Sequence, residues 1–219
     1  MPKLRTDSWT LQPKLNPDMR TTDFHYELPP ELIASRPLVD RESSRMMLVN
    51  RATSEISHQR FSDFPVLLPP DHLLVLNDTK VIPARLFSND GKVELVRTDA
   101  PDPNHWWCLV RPGKKMRDGR SVEVGKSIGT VIQTNHKGER LIKWDTPPDL
   151  EVHGHLALPH YMEREPDKSD RDRYQTVYAK EEGAIAAPTA GLHFTPELLS
   201  KLDHTFLTLH VGVGTFRPV

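Results

Sequence analysis

The alternation of apolar and polar positions divides the chain into three stretches of different character. Residues 26 to 88 are mixed. Pro29-Pro30-Glu31-Leu32-Ile33-Ala34 opens a short helix, Arg45 to Asn50 and Ser54 to His58 alternate as paired strands, and His72 to Leu76 is an apolar strand running into Asn77-Asp78-Thr79. Residues 92 to 145 read almost entirely as strand. Lys92 to Arg97, His105 to Val110, Ser121 to Val124, Ile128 to Thr134 and Arg140 to Trp144 are short and rich in β-branched or aromatic residues. Turn signals such as Arg117-Asp118-Gly119 and Asn135-His136-Lys137-Gly138 separate them, a spacing that predicts a small antiparallel barrel. After Pro159 the pattern is mixed again: a polar helical stretch from Asp170 to Tyr178, a helix from Pro196 to about Leu202 capped by Thr195, and a strand from Phe206 to Val211.

The economical organisation is a mixed α/β domain built from both ends of the chain, residues 23–83 and 159–219, with a small antiparallel β-barrel domain inserted over 84–158. Residues 1–22 read as a polar, proline-bearing, mobile leader. No internal repeat or heptad pattern points to a solenoid or coiled coil.

Composition narrows the class. The chain has 219 residues and is 37% hydrophobic, enough for one large or two small folded domains. No run approaches the roughly 18 apolar residues of a membrane span, and the first twenty positions lack the apolar centre of a signal peptide, so a cytoplasmic monomer without membrane contact is the expectation. The single cysteine, Cys108, reads as a small buried strand residue. The formal net charge is −1, so contact with a nucleic acid has to come from a local patch. One such patch spans Arg111 to Arg120, where five of ten residues are basic and two are glycines. It reads either as a phosphate-gripping surface or as a solvated hairpin turn.

The chemistry-bearing string is Arg173 to Thr195, RYQTVYAKEEGAIAAPTAGLHFT. Thr189, Ala190 and Gly191 offer little side-chain bulk, so backbone N–H groups there can approach a ligand, and His193 adds a group that titrates near neutral pH. Within this string APTAGLHFTPELL resembles the signature of the S-adenosylmethionine:tRNA ribosyltransferase-isomerase family (QueA family) of queuosine biosynthesis. Tyr26-Glu27-Leu28-Pro29, LVLNDTKVIPARLF ending at Phe87, LVRPGKK at 109 to 115, LPHYMER at 158 to 164 and LTLHVGVGTFRPV at 207 to 219 resemble further motifs of that family in its order. Members of the family have the inserted-barrel arrangement and continue well beyond the position matched by Val219. An α/β domain ending there is expected to expose apolar surface and an unpaired sheet edge, with poor solubility or no turnover, and a further coding segment is expected to follow.

The resemblance implies transfer and isomerisation of the ribosyl part of S-adenosylmethionine onto 7-aminomethyl-7-deazaguanine at the tRNA wobble position. The product is epoxyqueuosine in tRNA, with adenine and methionine released. The sulfonium acidifies the C5′ hydrogens, so the site needs a base of near-neutral pKa, a donor for departing adenine and exclusion of bulk water. S-adenosylmethionine is then a substrate, and no cofactor is implied.

His193 is the leading candidate for proton transfer and His210, at a strand end, the second, each weighed against a purely structural histidine. Gly212, Gly214 and Thr215 read as binding residues or as a tight turn. Asn77 and Asp78 follow an apolar strand and read as substrate-binding residues, Asp78 accepting from ribose hydroxyls, or as turn chemistry, while Arg85 suits a carboxylate or phosphate. Lys114 and Lys115 carry the basic patch toward tRNA. Arg173, Tyr174 and Gln175 offer a cation, a stacking ring and an amide for a base edge, although Tyr174 and Tyr178 at helical spacing also suit inward packing. Phe194 and Phe216 read as core. His153, His155 and His160 lack a Cys pair or HExxH, so no metal site is expected, and Ser43-Ser44 belongs to no hydrolytic triad. Two other classes remain open: a non-catalytic RNA-binding module, and an S-adenosylmethionine-dependent methyltransferase, which the lack of a glycine-rich βα turn disfavours.

Overall fold

Among the described residues twelve short strands carry the architecture: β1 (Arg45–Asn50), β2 (Glu55–Arg60), β3 (Leu74–Asn77), β4 (Thr79–Val81), β5 (Arg85–Phe87), β6 (Glu94–Asp102), β7 (His105–Arg111), β8 (Ser121–Val124), β9 (Ser127–Thr134), β10 (Arg140–Trp144), β11 (Glu181–Ala184) and β12 (His204–Leu207). Four one-turn helices join them: α1 (Phe64–Leu67), α2 (Leu150–His153), α3 (Asp170–Arg173) and α4 (Pro196–Leu199). The computed structural model describes residues 19–162 and 164–216. The leader expectation falls mainly on residues 1–18, outside the described residues, and Thr21–Phe24 forms a 3-10 turn. The chain divides into two compact units, one through Ala34 and one from Ser35 onward. In the first, Pro30–Leu32 forms a 3-10 turn where a short helix was expected.

In the second unit, β5 to β10 form one antiparallel sheet in the order β5-β6-β7-β10-β9-β8. It curls into a barrel-like form. The Asn89 N–H donates to the Glu123 carbonyl at 2.9 Å, and the Asn89 amide exchanges hydrogen bonds with the Gly125 N–H and carbonyl, tying the β5–β6 turn to the outer strand β8. The strand alternation decides what lies inside: Leu86, Leu95, Trp106, Cys108, Val122, Val124, Val131, Ile142 and Trp144 form the barrel core with Met116. Each such side chain contributes about 1.5–3 kcal/mol by leaving water. Gly129 has to be glycine here, because a Cβ would stand 2.6 Å from Ile142 and 2.8 Å from the Trp144 ring. Cys108 is fully buried and its thiol is pushed up to about 12 by that burial, so it packs and does not react.

Flanking the barrel in sequence, β3 pairs in parallel with β12 and β4 with β11. These pairings bring residues 74–81 to residues 181–207 and include two strands, β4 and β11, that periodicity does not announce. Glu181–Ala184 has no strand composition at all, and its extended form is imposed by the parallel partner. β12 ends at Leu207 where Val211 was expected. Beyond it the Asn77 side chain replaces a strand, donating from Nδ2 to the Leu209 carbonyl at 2.9 Å and accepting from the Leu209 N–H at 3.0 Å. The helix expected to Tyr178 stops after Arg173, since the Gln175 amide is drawn to both backbone groups of Val81. Thr195 caps α4 as expected, its Oγ1 accepting from the Leu198 N–H at 3.1 Å.

Phe194 lies in a core with Leu76, Leu198 and Leu199, edge-on to Phe61 at 4.9 Å and to Phe64 at 5.8 Å. On the opposite side of the β3–β12 pair Leu73, Val75, Leu207 and Leu209 are exposed. No helix among the described residues is long and apolar enough to cross a membrane.

Candidate functional site

Sequence-predicted residues fall into three local groups, the third holding Arg85 alone among them. The first surrounds His210. Its Nδ1 lies 2.7 Å from the Thr79 hydroxyl, its ring is exposed, and it rests against the backbone of Gly183. Gly183 is the residue at which the β11–β4 register shifts, with φ of +153°, and a Cβ on it would stand 2.8 Å from the imidazole. Asp78 accepts from the Thr208 hydroxyl at 2.6 Å, and its N–H donates to the Leu207 carbonyl at 3.0 Å. Asn77, Asp78 and His210 are therefore neighbours, with the amide of Asn77 committed to Leu209. Thr79 and Gly183 completed this cluster without being singled out in the sequence.

The second group surrounds His193, the last residue of a 3-10 turn spanning Thr189–His193. Thr189 and Ala190 are exposed, whereas Gly191 is buried under Tyr178, whose hydroxyl would stand 2.2 Å from a Cβ at that position. Burial lowers the pKa of His193, and the charges of Arg173 and Arg41 lower it further against an opposing hydrogen bond to the Arg41 backbone. A neutral imidazole beside two cations can accept a proton only at a cost, but it can donate or accept a hydrogen bond without carrying charge. Tyr174 is buried and its phenol is pushed up to about 12, so of its two readings the structure shows inward packing. Gln175 accepts from the Val81 N–H at 3.1 Å and donates to the Val81 carbonyl at 3.2 Å, which engages both ends of the amide.

The third group lines a cleft of about 620 Å³ between the barrel and the segment 157–166. Arg85 enters it, donating from Nε to Glu94 at 2.7 Å and from Nη1 to Glu165 at 2.8 Å while lying over the Phe87 ring at 4.8 Å. Burial works against its charge, but the hydrogen bonds to the two glutamates outweigh that and raise its pKa. Val96, Leu109, Val110, Leu158 and Pro159 supply apolar walls, and Arg111 and Arg164 add cations. Arg164 is fixed by Asp170, with Nη1 and Nη2 at 2.6 and 2.7 Å from its carboxylate oxygens. Among the described residues, Arg85 is the only predicted one in this lining; Val213, beside Gly212 and Gly214, also reaches it.

Lys114 and Lys115 stand apart from all three groups, exposed in the turn Gly113–Lys115 between β7 and β8. Met116 beneath them is buried in the barrel core and anchors the turn, and Arg140 donates to the Gly113 and Met116 carbonyls. Arg111, Lys114, Lys115, Arg117 and Arg120 are all exposed, and none of them joins an ion pair among the described residues. Arg111 lies both in this run and in the cleft lining. Gly212 and Gly214 would meet nothing within 4 Å of an added Cβ, and Thr215 belongs to the 3-10 turn Val213–Phe216.

His153 packs against Gly125 and His155 against the Phe87 ring at 5.5 Å. Among the described residues no group of three or more His, Cys, Asp or Glu is placed to hold a metal ion.

A family model described as "Queuosine biosynthesis protein" matches residues 21–219. Among curated relatives, the S-adenosylmethionine:tRNA ribosyltransferase-isomerase of Thermotoga maritima is 43% identical over 212 residues, covering 92% of this chain and 62% of the relative. The enzyme of the same name from Thermosynechococcus vestitus is 46% identical over 223 residues, covering 93% and 62%. That from Aquifex aeolicus is 44% identical over 213 residues, covering 92% and 64%. A crystal structure of S-adenosylmethionine tRNA ribosyltransferase from Thermotoga maritima is similar at 32% identity over 86% of this chain and 58% of that one, with a TM-score of 0.35. The chain thus spans about three fifths of the length of the curated relatives it matches. With a family model matched across nearly all of its length, the chain belongs to the queuosine biosynthesis protein family.

Proposed function

We propose that the protein is an S-adenosylmethionine:tRNA ribosyltransferase-isomerase, which moves and isomerises the ribosyl moiety of S-adenosylmethionine onto 7-aminomethyl-7-deazaguanine at the tRNA wobble position. Epoxyqueuosine-tRNA, adenine and methionine are the products. The observation that carries this reading is identity of 43–46% across more than nine tenths of the chain to relatives bearing that enzyme's name.

The geometry supports a division of roles. His210 is the base that removes a C5′ proton next to the sulfonium, because its ring is exposed and its Nδ1 lies 2.7 Å from the Thr79 hydroxyl. The pair left on C5′ forms a C4′–C5′ double bond as the C4′–O4′ bond breaks and opens the ribose. The O4′ pair forms a C1′ carbonyl as adenine leaves with the glycosidic pair. The acceptor amine then adds at C4′ and gives up a proton, the restored C5′ pair closes on C1′, and the resulting alkoxide forms the epoxide at C5′ as methionine leaves with the C5′–sulfur pair. The neutral His193 and the turn Thr189–Gly191 serve the nucleoside as hydrogen-bonding groups, with Asp78 on ribose hydroxyls. The cleft at Arg85, with apolar walls and paired charges, takes a nucleobase, and Arg111, Lys114 and Lys115 lead tRNA phosphates toward it.

The domain reading follows the same lines: an α/β domain from residues 23–83 and 159–219 with the barrel inserted over 84–158, supported by the parallel pairing of β3 with β12 and β4 with β11 across the barrel segment. The protein is proposed to act as a monomer in the cytoplasm and to need no cofactor beyond its substrates.

A second reading has one specific observation in its favour. The unpaired cations from Arg111 to Arg120 also suit a module that binds RNA without turnover. Adenine release separates the two. Incubation with S-adenosylmethionine and the deazaguanine-modified tRNA liberates adenine from the enzyme and none from the module, and a methyltransferase instead yields S-adenosylhomocysteine.

A further inference from the structure

Two arginines near His193 hold each other's chain segments in a reciprocal clasp. Arg41 donates from Nη1 to the Leu192 carbonyl at 2.8 Å and from Nη2 to the Asp172 carbonyl at 2.6 Å. Arg173 answers by donating from Nη2 to the Leu38 carbonyl at 2.6 Å. All three acceptors are neutral. Among the described residues neither guanidinium joins an ion pair, and the Nε of Arg173 is buried without a hydrogen-bond partner.

The surroundings make this arrangement costly as it stands. The half-buried Arg41 feels the like charge of Arg173, offset in part by Asp172, whose carboxylate is exposed and bonded to neither. His193, pressed against Phe61 with ring centroids 5.1 Å apart, lies within the field of both cations. Two cations partly removed from water and in no ion pair among the described residues, beside a buried N–H without a hydrogen-bond partner, are stabilised when an oxyanion sits among them.

We infer that Arg41, Arg173 and His193 form an oxyanion subsite whose ligand is the carboxylate of an amino-acid moiety. A carboxylate matches the planar donor fork of a guanidinium, and the half-buried position beside an aromatic ring suits the end of a small molecule. The phosphates of a polymer have the exposed run at Arg111 to Arg120. The assignment of this carboxylate to the methionyl arm of the sulfonium nucleoside rests on the function proposed above; the subsite itself does not.

The test has two arms. In the unmodified protein, acetate is titrated against chloride at constant ionic strength while the ring resonances of the histidines are followed, with His193 assigned by its loss in His193→Gln. Acetate is expected to shift His193 and to leave His105, which is already paired with Asp102, in place. A His193 signal that responds no more to acetate than to chloride overturns the subsite. In the second arm, calorimetry compares S-adenosylmethionine with its decarboxylated form. The carboxylate is expected to be worth about tenfold in affinity in the unmodified protein, and under about twofold in Arg173→Gln and in Arg173→Lys, which keeps the charge but loses the fork. An equal loss in all three proteins places the carboxylate elsewhere and overturns the assignment. If acetate moves His193 but neither nucleoside binds, the subsite stands and the sulfonium-nucleoside function falls.

Discussion

The Nδ1 of His210 lies 2.7 Å from the Oγ1 of Thr79, a hydroxyl that is fully buried and 3.5 Å from the Glu181 carbonyl. With that hydroxyl donating toward Glu181 it receives the Nδ1–H, and in that tautomer the lone pair of His210 is on Nε2, where a base needs it. Thr79→Val removes the acceptor at nearly constant volume. Adenine release is expected to fall about ten- to hundredfold with its acidic limb displaced along pH, while Thr79→Ser restores most of it. A flat loss without change in the pH profile assigns Thr79 to packing alone.

Gly191 and Tyr178 are coupled through space. A Cβ at 191 would stand 2.2 Å from the Tyr178 hydroxyl and 2.9 Å from the Thr176 methyl. Gly191→Ala is expected to destabilise the protein by about 1–3 kcal/mol in urea unfolding. Adding Tyr178→Phe removes the nearest clashing atom, and the double variant recovers part of that loss. Strict additivity of the two changes contradicts the coupling. Gly214→Ala, with nothing within 4 Å, stays within about 0.5 kcal/mol of the parent.

Burial and the charges of Arg173 and Arg41 set the sign of the pH dependence at His193. Its folded pKa lies below the unfolded value, so between the two the unfolded chain binds more protons and stability rises with pH. The contribution is complete above about pH 6.5, the unfolded value, and is lost as pH falls below it toward the folded pKa. Melting temperatures measured from pH 5 to 7.5 are expected to rise over this window, and His193→Asn to flatten the rise. An unchanged slope in the variant assigns the dependence to another group.

The exposed basic run from Arg111 to Arg120 is expected to act through charge rather than shape. Replacing Lys114, Lys115 and Arg117 with Gln should weaken tRNA binding and reduce the slope of log affinity against log salt by about 0.7 to 0.9 for each phosphate no longer neutralised. Because Met116 remains to anchor the turn, the melting temperature stays where it was. Reduced affinity with an unchanged salt slope shows that these side chains do not meet phosphates.

The barrel was legible because strand alternation follows directly from which face is buried: Val122, Val124, Val131, Ile142 and Trp144 occupy the inward positions that the pattern marks. The parallel pairs were not. β11 is built from Glu181-Glu182-Gly183-Ala184, whose extended state depends on β4 a hundred residues earlier in the chain, and no local propensity encodes a partner that distant. Among candidate site residues, His193 and His210 stand out by chemistry alone. Their neighbours do not: Thr79, Gly183 and Arg41 are ordinary residues in sequence and become informative only through the Thr79–His210 hydrogen bond, the His210 ring over Gly183, and the clasp with Arg173. Asn77 and Gln175 show the converse, since side-chain amides put forward for substrate binding are consumed by backbone groups of Leu209 and Val81.

Membership of the queuosine biosynthesis family makes one measurement decisive for the proposed chemistry. The protein is incubated with S-adenosylmethionine and tRNA bearing 7-aminomethyl-7-deazaguanine, and free adenine and intact tRNA mass are followed together. Adenine appearing mole for mole with a ribosyl-derived mass gain on the tRNA is the predicted result. Unchanged tRNA mass and no free adenine, from folded protein that binds both substrates, contradicts it.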